Sequence, residues 1–239
     1  MTVVLVAHGS RDARFALTAR RVAAAVRAEL SGVRVELAYL DLNEPLVGDV
    51  LAALSDDVTV VPLLFGDGFH SKIDLPAIIA DARRRNPAVR PFQSAVLGVH
   101  SPVLGLVDRL VEAGLRDDDG VLMYAVGSSD ASSDESIRAR GRELSRVLGM
   151  PVETVFATRL GPEGAAVRGA VDRLHEAGAR RIAASPLFLS AGLLTDRVEA
   201  SLDAYAPDSL VAGPIGAHPA LIAAVRSLAV PHLAPLPAP

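Results

Sequence analysis

Short apolar runs alternate with helix-period stretches along this chain in a regular order. Val3–Ala7 is continuously apolar and largely β-branched, the pattern of a strand buried on both faces of a parallel sheet. Residues 14–30 then carry apolar positions at helical spacing, with arginines on the opposite side. The same alternation predicts strands over 33–40, 58–65 and 89–97, and helices over 45–54, 73–85 and 102–113, the first of these begun by Pro45. A second series follows, with strands near 121–125, 152–157, 181–187 and 209–215. Strands alternating with helices imply an α/β fold in which parallel sheets carry helices on both faces.

The two series are related by duplication. Val3-Val4-Leu5-Val6-Ala7-His8-Gly9-Ser10 returns as Val121-Leu122-Met123-Tyr124-Ala125-Val126-Gly127-Ser128, 118 positions on. Pro62–His70 returns as Pro186–Leu194, and Leu97–His100 as Ile215–His218. A period this long fits a duplicated domain rather than a solenoid. The expected division is a first lobe over 1–116, a second over 117–230 and a Pro-rich tail over 231–239, with the Asp-rich segment Gly114–Gly120 as linker. His8 and His70 are both replaced in the second copy, by Val126 and Leu194, whereas His100 survives as His218. Two histidines lost together point to one shared job. A histidine kept in both copies points to a structural one, here at a helix start, since Pro102 and Pro219 follow. His175, inside a predicted helix, and His232, in the tail, have no such pattern.

Composition removes several function classes. A net charge of -4 with scattered arginines gives no basic stripe for nucleic acid, and 4% aromatic content gives little for base stacking. The absence of cysteine excludes disulfides, thiolate metal sites, iron-sulfur clusters and cysteine nucleophiles. Neither a signal-peptide pattern nor an apolar run of membrane-spanning length occurs, so the expectation is a cytoplasmic protein that does not enter the membrane. No G-x-G-x-x-G or Walker A sequence is present, so nucleotide binding has no positive support.

Ligands of open parallel sheets bind beyond the carboxyl ends of the strands. His8 follows the first strand, Asp41 the second, and His70 lies in the loop after the third, so all three open onto one edge. Two imidazoles and a carboxylate without thiolates suit a borderline divalent ion such as iron(II), cobalt(II) or nickel(II). Glu44 is the alternative carboxylate, although its place before Pro45 also suits an acid at a helix start. Imidazole can also take up a proton near neutrality. Metal insertion into a tetrapyrrole needs both properties, because the ion enters as two pyrrole protons leave. Ser10, Arg11 and Lys72, the only lysine in the chain, flank the histidines and are the candidate contacts to an anionic substrate.

The opening Ala7-His8-Gly9-Ser10-Arg11-Asp12, together with the segment Pro62–Pro76, resembles the class II tetrapyrrole chelatases, the family of sirohydrochlorin cobaltochelatases and ferrochelatases. The resemblance runs to about residue 228, in the long two-lobed form. It implies two flavodoxin-like lobes facing a cleft for the macrocycle, with His8 and His70 as metal ligands and proton acceptors. Cobalt(II) or iron(II), with nickel(II) as a third candidate, is then a substrate, and no organic cofactor or iron-sulfur cluster is expected. The family usually carries a glutamate after the second strand, where this chain has Asp41. The second lobe, with Val126 and Leu194, is expected to bind rather than catalyse, and a monomer or homodimer is expected. Two rival functions fit parts of the same pattern: a non-catalytic carrier or sensor of tetrapyrrole or metal, and a phosphoryl-transfer enzyme with His8 as nucleophile. The second lacks an arginine at Ala7 to clamp phosphate.

Overall fold

A computed structural model describes residues 1–97 and 102–229. His100, His232 and the tail 231–239 lie outside the described residues. The first sheet holds β1 (Thr2–Ala7), β2 (Arg34–Tyr39), β3 (Asp57–Pro62) and β4 (Arg90–Gln93), in the order β2-β1-β3-β4 and parallel throughout. The second holds β5 (Asp119–Ala125), β6 (Val152–Phe156), β7 (Arg181–Pro186) and β8 (Leu210–Val211), in the matching order β6-β5-β7-β8. This is the doubly wound, flavodoxin-like order. The apolar runs at the start of each repeat explain it: β1 and β5 are interior strands, and every residue of both is buried.

Each helix follows from its period and its cap. In α1 (Ala13–Glu29) the buried residues Ala19, Val22, Ala23 and Val26 form one stripe, and the carboxylate of Asp12 accepts the Arg14 N–H at its start. α2 (Val47–Ala52) and α3 (Leu75–Arg85) complete the first repeat's regular helices before β4. The helix expected over 73–85 begins as a regular helix only at Leu75, after a π-helical turn, His70–Asp74. α4 (Val103–Ala113), α5 (Ala131–Leu148), α6 (Ala165–Glu176), α7 (Leu193–Tyr205) and α8 (Pro219–Ala229) follow in chain order.

Two expectations change. The edge strands predicted over 89–97 and 209–215 shrink to four and two residues. Beyond them the backbone still tracks its neighbour, with Ser94 N–H donating to Val60 O and Ile215 N–H to Phe188 O, but the regular ladder has ended. The compact units also cut across the boundary expected at 116/117. Residues 1–97 pack with 217–229, and residues 102–216 form the other unit. α4 leaves the first repeat and packs on α5, β7 and β8, while α8 returns to pack on α1 and β3. Both helices close their repeat in sequence, so periodicity alone cannot tell which sheet each will cover. Among the described residues no helix is long and apolar enough to cross a membrane.

Candidate metal centre

The first lobe builds its rim where β1 and β3 diverge, the switch point at which such sheets bind ligands. His8 leaves the end of β1, and its carbonyl accepts the Asp41 N–H at 3.1 Å, continuing the pairing with the chain after β2. Gly9 permits this approach: its φ is +102°, and a Cβ there would stand 1.8 Å from the Asp41 carbonyl oxygen. Ser10 N–H donates to Asn43 Oδ1 at 2.8 Å, and Ser10 Oγ accepts the Asp12 N–H at 3.0 Å. His8 therefore projects from a pinned backbone.

His70 comes from the loop after β3. The π-turn that carries it is anchored by Ser71, whose hydroxyl donates to Asp67 Oδ1 at 2.8 Å and whose carbonyl accepts from Gln93 Nε2 at 2.8 Å. The two imidazoles meet edge to face, with ring centroids 4.4 Å apart and Nε2 atoms 3.0 Å apart. The outer nitrogens face fixed oxygens: His8 Nδ1 lies 3.2 Å from Gly9 O, and His70 Nδ1 lies 2.6 Å from Asp74 Oδ2. Because a carbonyl and a carboxylate accept only, each Nδ1 is the donor and both Nε2 lone pairs can meet an ion. Two imidazole nitrogens, each about 2.0–2.1 Å from one metal and roughly at right angles, stand about 3 Å apart. The observed spacing fits a shared ion.

The third expected ligand does not join them. Among the described residues no three His, Asp or Glu side chains gather closely enough to hold an ion, which leaves out both Asp41 and Glu44. The carboxylate of Asp41 accepts the N–H of Leu42 at 2.7 Å, a local turn contact, and its backbone rather than its side chain meets His8. Asp74, which the sequence reading passed over, is the carboxylate in contact with a histidine. Its signal was its place four residues after His70, the spacing of side-chain pairs on one helical face. Arg11 is exposed on the His8 loop, and Lys72 Nζ stands 3.9 Å from Asp67 Oδ2. Phe69 and Ile73 flank His70 and are 56% and 54% exposed, an apolar surface beside the imidazole pair.

The second lobe repeats the frame without the chemistry. Val126 O accepts the Thr158 N–H at 3.1 Å as His8 O accepts that of Asp41, and Gly127 again has a positive φ, +89°. Ser128 Oγ accepts the Asp130 N–H at 3.1 Å, as Ser10 does with Asp12. A contact made in both lobes marks Ser10 as an organiser of its loop. In place of an imidazole pair this rim carries Arg159, which donates to Ser128 O, pairs with Asp134 and lies over the Phe156 ring at 4.9 Å. His218 begins α8 as expected, with Nδ1 accepting the Ala220 N–H at 3.2 Å.

The duplicated parallel α/β frame, with an imidazole pair on one rim only, matches a known family over both of its copies. The chain belongs to the CbiX family, whose model matches residues 2–113 and again 120–230. It is similar to a sirohydrochlorin cobaltochelatase of Priestia megaterium, with 28% identity over 92% of this chain and 76% of the relative. A sirohydrochlorin ferrochelatase of Bacillus subtilis (strain 168) is 26% identical over 91% of this chain and 86% of its own length. Among solved structures, the sirohydrochlorin chelatase SirB from Bacillus subtilis subspecies spizizenii, in complex with cobalt, superposes with a TM-score of 0.77 at 23% identity, covering 96% of each chain. That likeness shows the fold.

Proposed function

We propose that this protein inserts a divalent metal, cobalt(II) or iron(II), into sirohydrochlorin. One observation carries the reading: two Nε2 atoms 3.0 Å apart, on the lobe that kept its histidines and at the sheet's switch point. The names of its relatives supply the macrocycle. The metal is a substrate, held by His8 and His70 with its remaining positions open to water and to ring nitrogens. Asp41 and Glu44 stand outside this pair. Macrocycle docking on the exposed Phe69 and Ile73 removes water from the ion's open side, with Arg11 and Lys72 placed to meet peripheral carboxylates. Ring nitrogens then replace the imidazoles one at a time. Each Nε2 released by the metal is free to accept one of the two departing pyrrole protons, so the exchange balances: one dication enters and two protons leave. Holding ion and ring a few ångströms apart, rather than strong acid or base chemistry, provides the acceleration. The reaction needs no membrane, and the protein acts in the cytoplasm.

The test is anaerobic incubation of purified protein with sirohydrochlorin and Co2+, Fe2+ or Ni2+ in turn, followed by the absorbance change of the macrocycle. His8→Ala and His70→Ala each abolish turnover, and His218→Ala does not. A wild-type protein that binds both substrates without accelerating their combination would make it a carrier and end this proposal.

A further inference from the structure

The π-turn that carries His70 is a one-residue difference between the two lobes. The repeat places Pro62 opposite Pro186 and His70 opposite Leu194, an offset of 124. The buried pair Ser71 and Thr195 keeps that offset. One turn later it has changed: the buried residues Leu75 and Ile79 of the first lobe correspond to Val198 and Leu202 of the second, an offset of 123. One extra residue therefore lies between Ser71 and Leu75. The π-turn His70–Asp74 absorbs it, with the Leu75 N–H donating to the His70 carbonyl five residues back, while α7 runs through the same region as a regular helix. A π-turn is an α-helix that has accepted an insertion, and such turns recur at functional sites.

The insertion decides what can stand beside the histidine. In the regular helix of the second lobe, the residue four places after the histidine-equivalent Leu194 is Val198, which is fully buried. A carboxylate could not occupy that core position without losing its hydration. In the first lobe the extra residue hands the core position to Leu75 and leaves the fourth place, Asp74, at the surface beside His70. Its Oδ2 then accepts from His70 Nδ1 at 2.6 Å.

We infer that Asp74 is a positioning residue for His70, set in place by the one-residue π-turn that the second lobe lacks. Its carboxylate accepts the hydrogen bond from Nδ1–H, holds the ring in one orientation and one tautomer, and so presents the Nε2 lone pair towards His8. This rests on the reading of His70 as a metal ligand, and the test separates the two. Co2+ is titrated into the full chain without macrocycle, following the visible absorption of the bound ion. Asp74→Ala weakens Co2+ binding by about 10–100-fold, the usual effect of removing a ligand's hydrogen-bond partner, with unchanged circular dichroism and unchanged KM for sirohydrochlorin. Asp74→Asn, nearly isosteric and still able to accept through its amide oxygen, falls between. In 15N-histidine-labelled protein, His70 carries its proton on Nδ1 in the wild type and shows mixed tautomers in Asp74→Ala. Wild-type Co2+ affinity and an unchanged His70 tautomer in Asp74→Ala would overturn the inference while leaving the metal site standing. Wild-type Co2+ affinity in His70→Ala would overturn the proposed site itself.

Discussion

Three glycine-to-alanine substitutions separate the backbone that shapes the His8–His70 rim from glycines that merely turn the chain. Gly32 has a φ of +82° with nothing within 4 Å of an added Cβ, so Gly32→Ala meets only the left-handed conformation. That costs roughly 1–2 kcal/mol in the folded state, offset by about 0.4–1 kcal/mol from restricting the unfolded chain, for a net loss of about 1 kcal/mol. Gly9 adds a contact that cannot be relieved by a side chain, since its Cβ would stand 1.8 Å from the backbone oxygen of Asp41. The loop must move, giving up the 3.1 Å bond between Asp41 N–H and His8 O, worth about 1 kcal/mol, together with part of the rim's packing. A total near 3 kcal/mol follows, or a fall in Tm of about 6–12 °C against about 2–4 °C for Gly32→Ala. Gly127→Ala is the matched control on the second lobe, where the Cβ would stand 2.7 Å from Thr158 Oγ1 and 2.8 Å from Phe156 Cβ. It should lower Tm without lowering the rate of Co2+ insertion, whereas Gly9→Ala should lower both because it displaces His8. Thermal melts and the anaerobic insertion assay, run on all three variants, decide the matter. Equal Tm losses for Gly9 and Gly32, or wild-type insertion by Gly9→Ala, would refute the claim that the Gly9–Asp41 contact sets the histidine.

Asp119 is buried at the start of β5, where it receives Arg181 through Nε at 2.8 Å and Nη2 at 2.7 Å and the Arg116 N–H at 2.7 Å. Burial alone would raise its carboxyl pKa, but the Arg181 guanidinium and the Arg116 N–H outweigh it and hold the value below the ordinary range. The stabilisation is thus present above the unfolded pKa of about 4 and is lost as pH falls through the lower folded value. Asp119→Asn should cost about 3 kcal/mol in urea denaturation at pH 7 and at pH 5, with the gap to wild type closing below about pH 4. Phe69→Ala removes an exposed ring, so Tm should hold, while partial loss of apolar burial against the macrocycle raises KM for sirohydrochlorin about fivefold, close to 1 kcal/mol. An unchanged KM would remove Phe69 from the docking surface.

The frame was legible because its signals are local. Val3–Ala7 reads as a central strand from its apolar run alone, and β1 spans Thr2–Ala7 with every residue buried. The histidine pair was legible because strand order carries residues 8 and 70 to one edge, and the duplication supplied an internal comparison. What stayed hidden depends on direction or on choice of partner. Asp41 was placed correctly on the rim, but the turn bond to Leu42 N–H holds its carboxylate locally, and no periodicity encodes that. The exchange of α4 and α8 between units was hidden for a different reason: the period of each helix marks an apolar face but not the sheet that face covers.

The π-turn is not legible in the sequence repeat because the matched blocks end at His70 and Leu194, just before the offset changes. Burial exposes it, since core positions must keep their places in space even when the number of residues between them changes. The comparison of lobes then sorts the rim into two groups. Gly9, Ser10 and Asp12 have working counterparts in Gly127, Ser128 and Asp130, so they belong to the frame on which any side chain at position 8 would be displayed. His8, His70 and Asp74 have none, and the second lobe fills the corresponding rim with an ion pair, Arg159 with Asp134, that needs no added ion to satisfy its charges. Restoring imidazoles at positions 126 and 194 would therefore recreate two ligands without the inserted residue that supports one of them. On this argument the second lobe has lost an orienting shell along with its ligands, and a two-histidine graft there should bind Co2+ more weakly than the first lobe does.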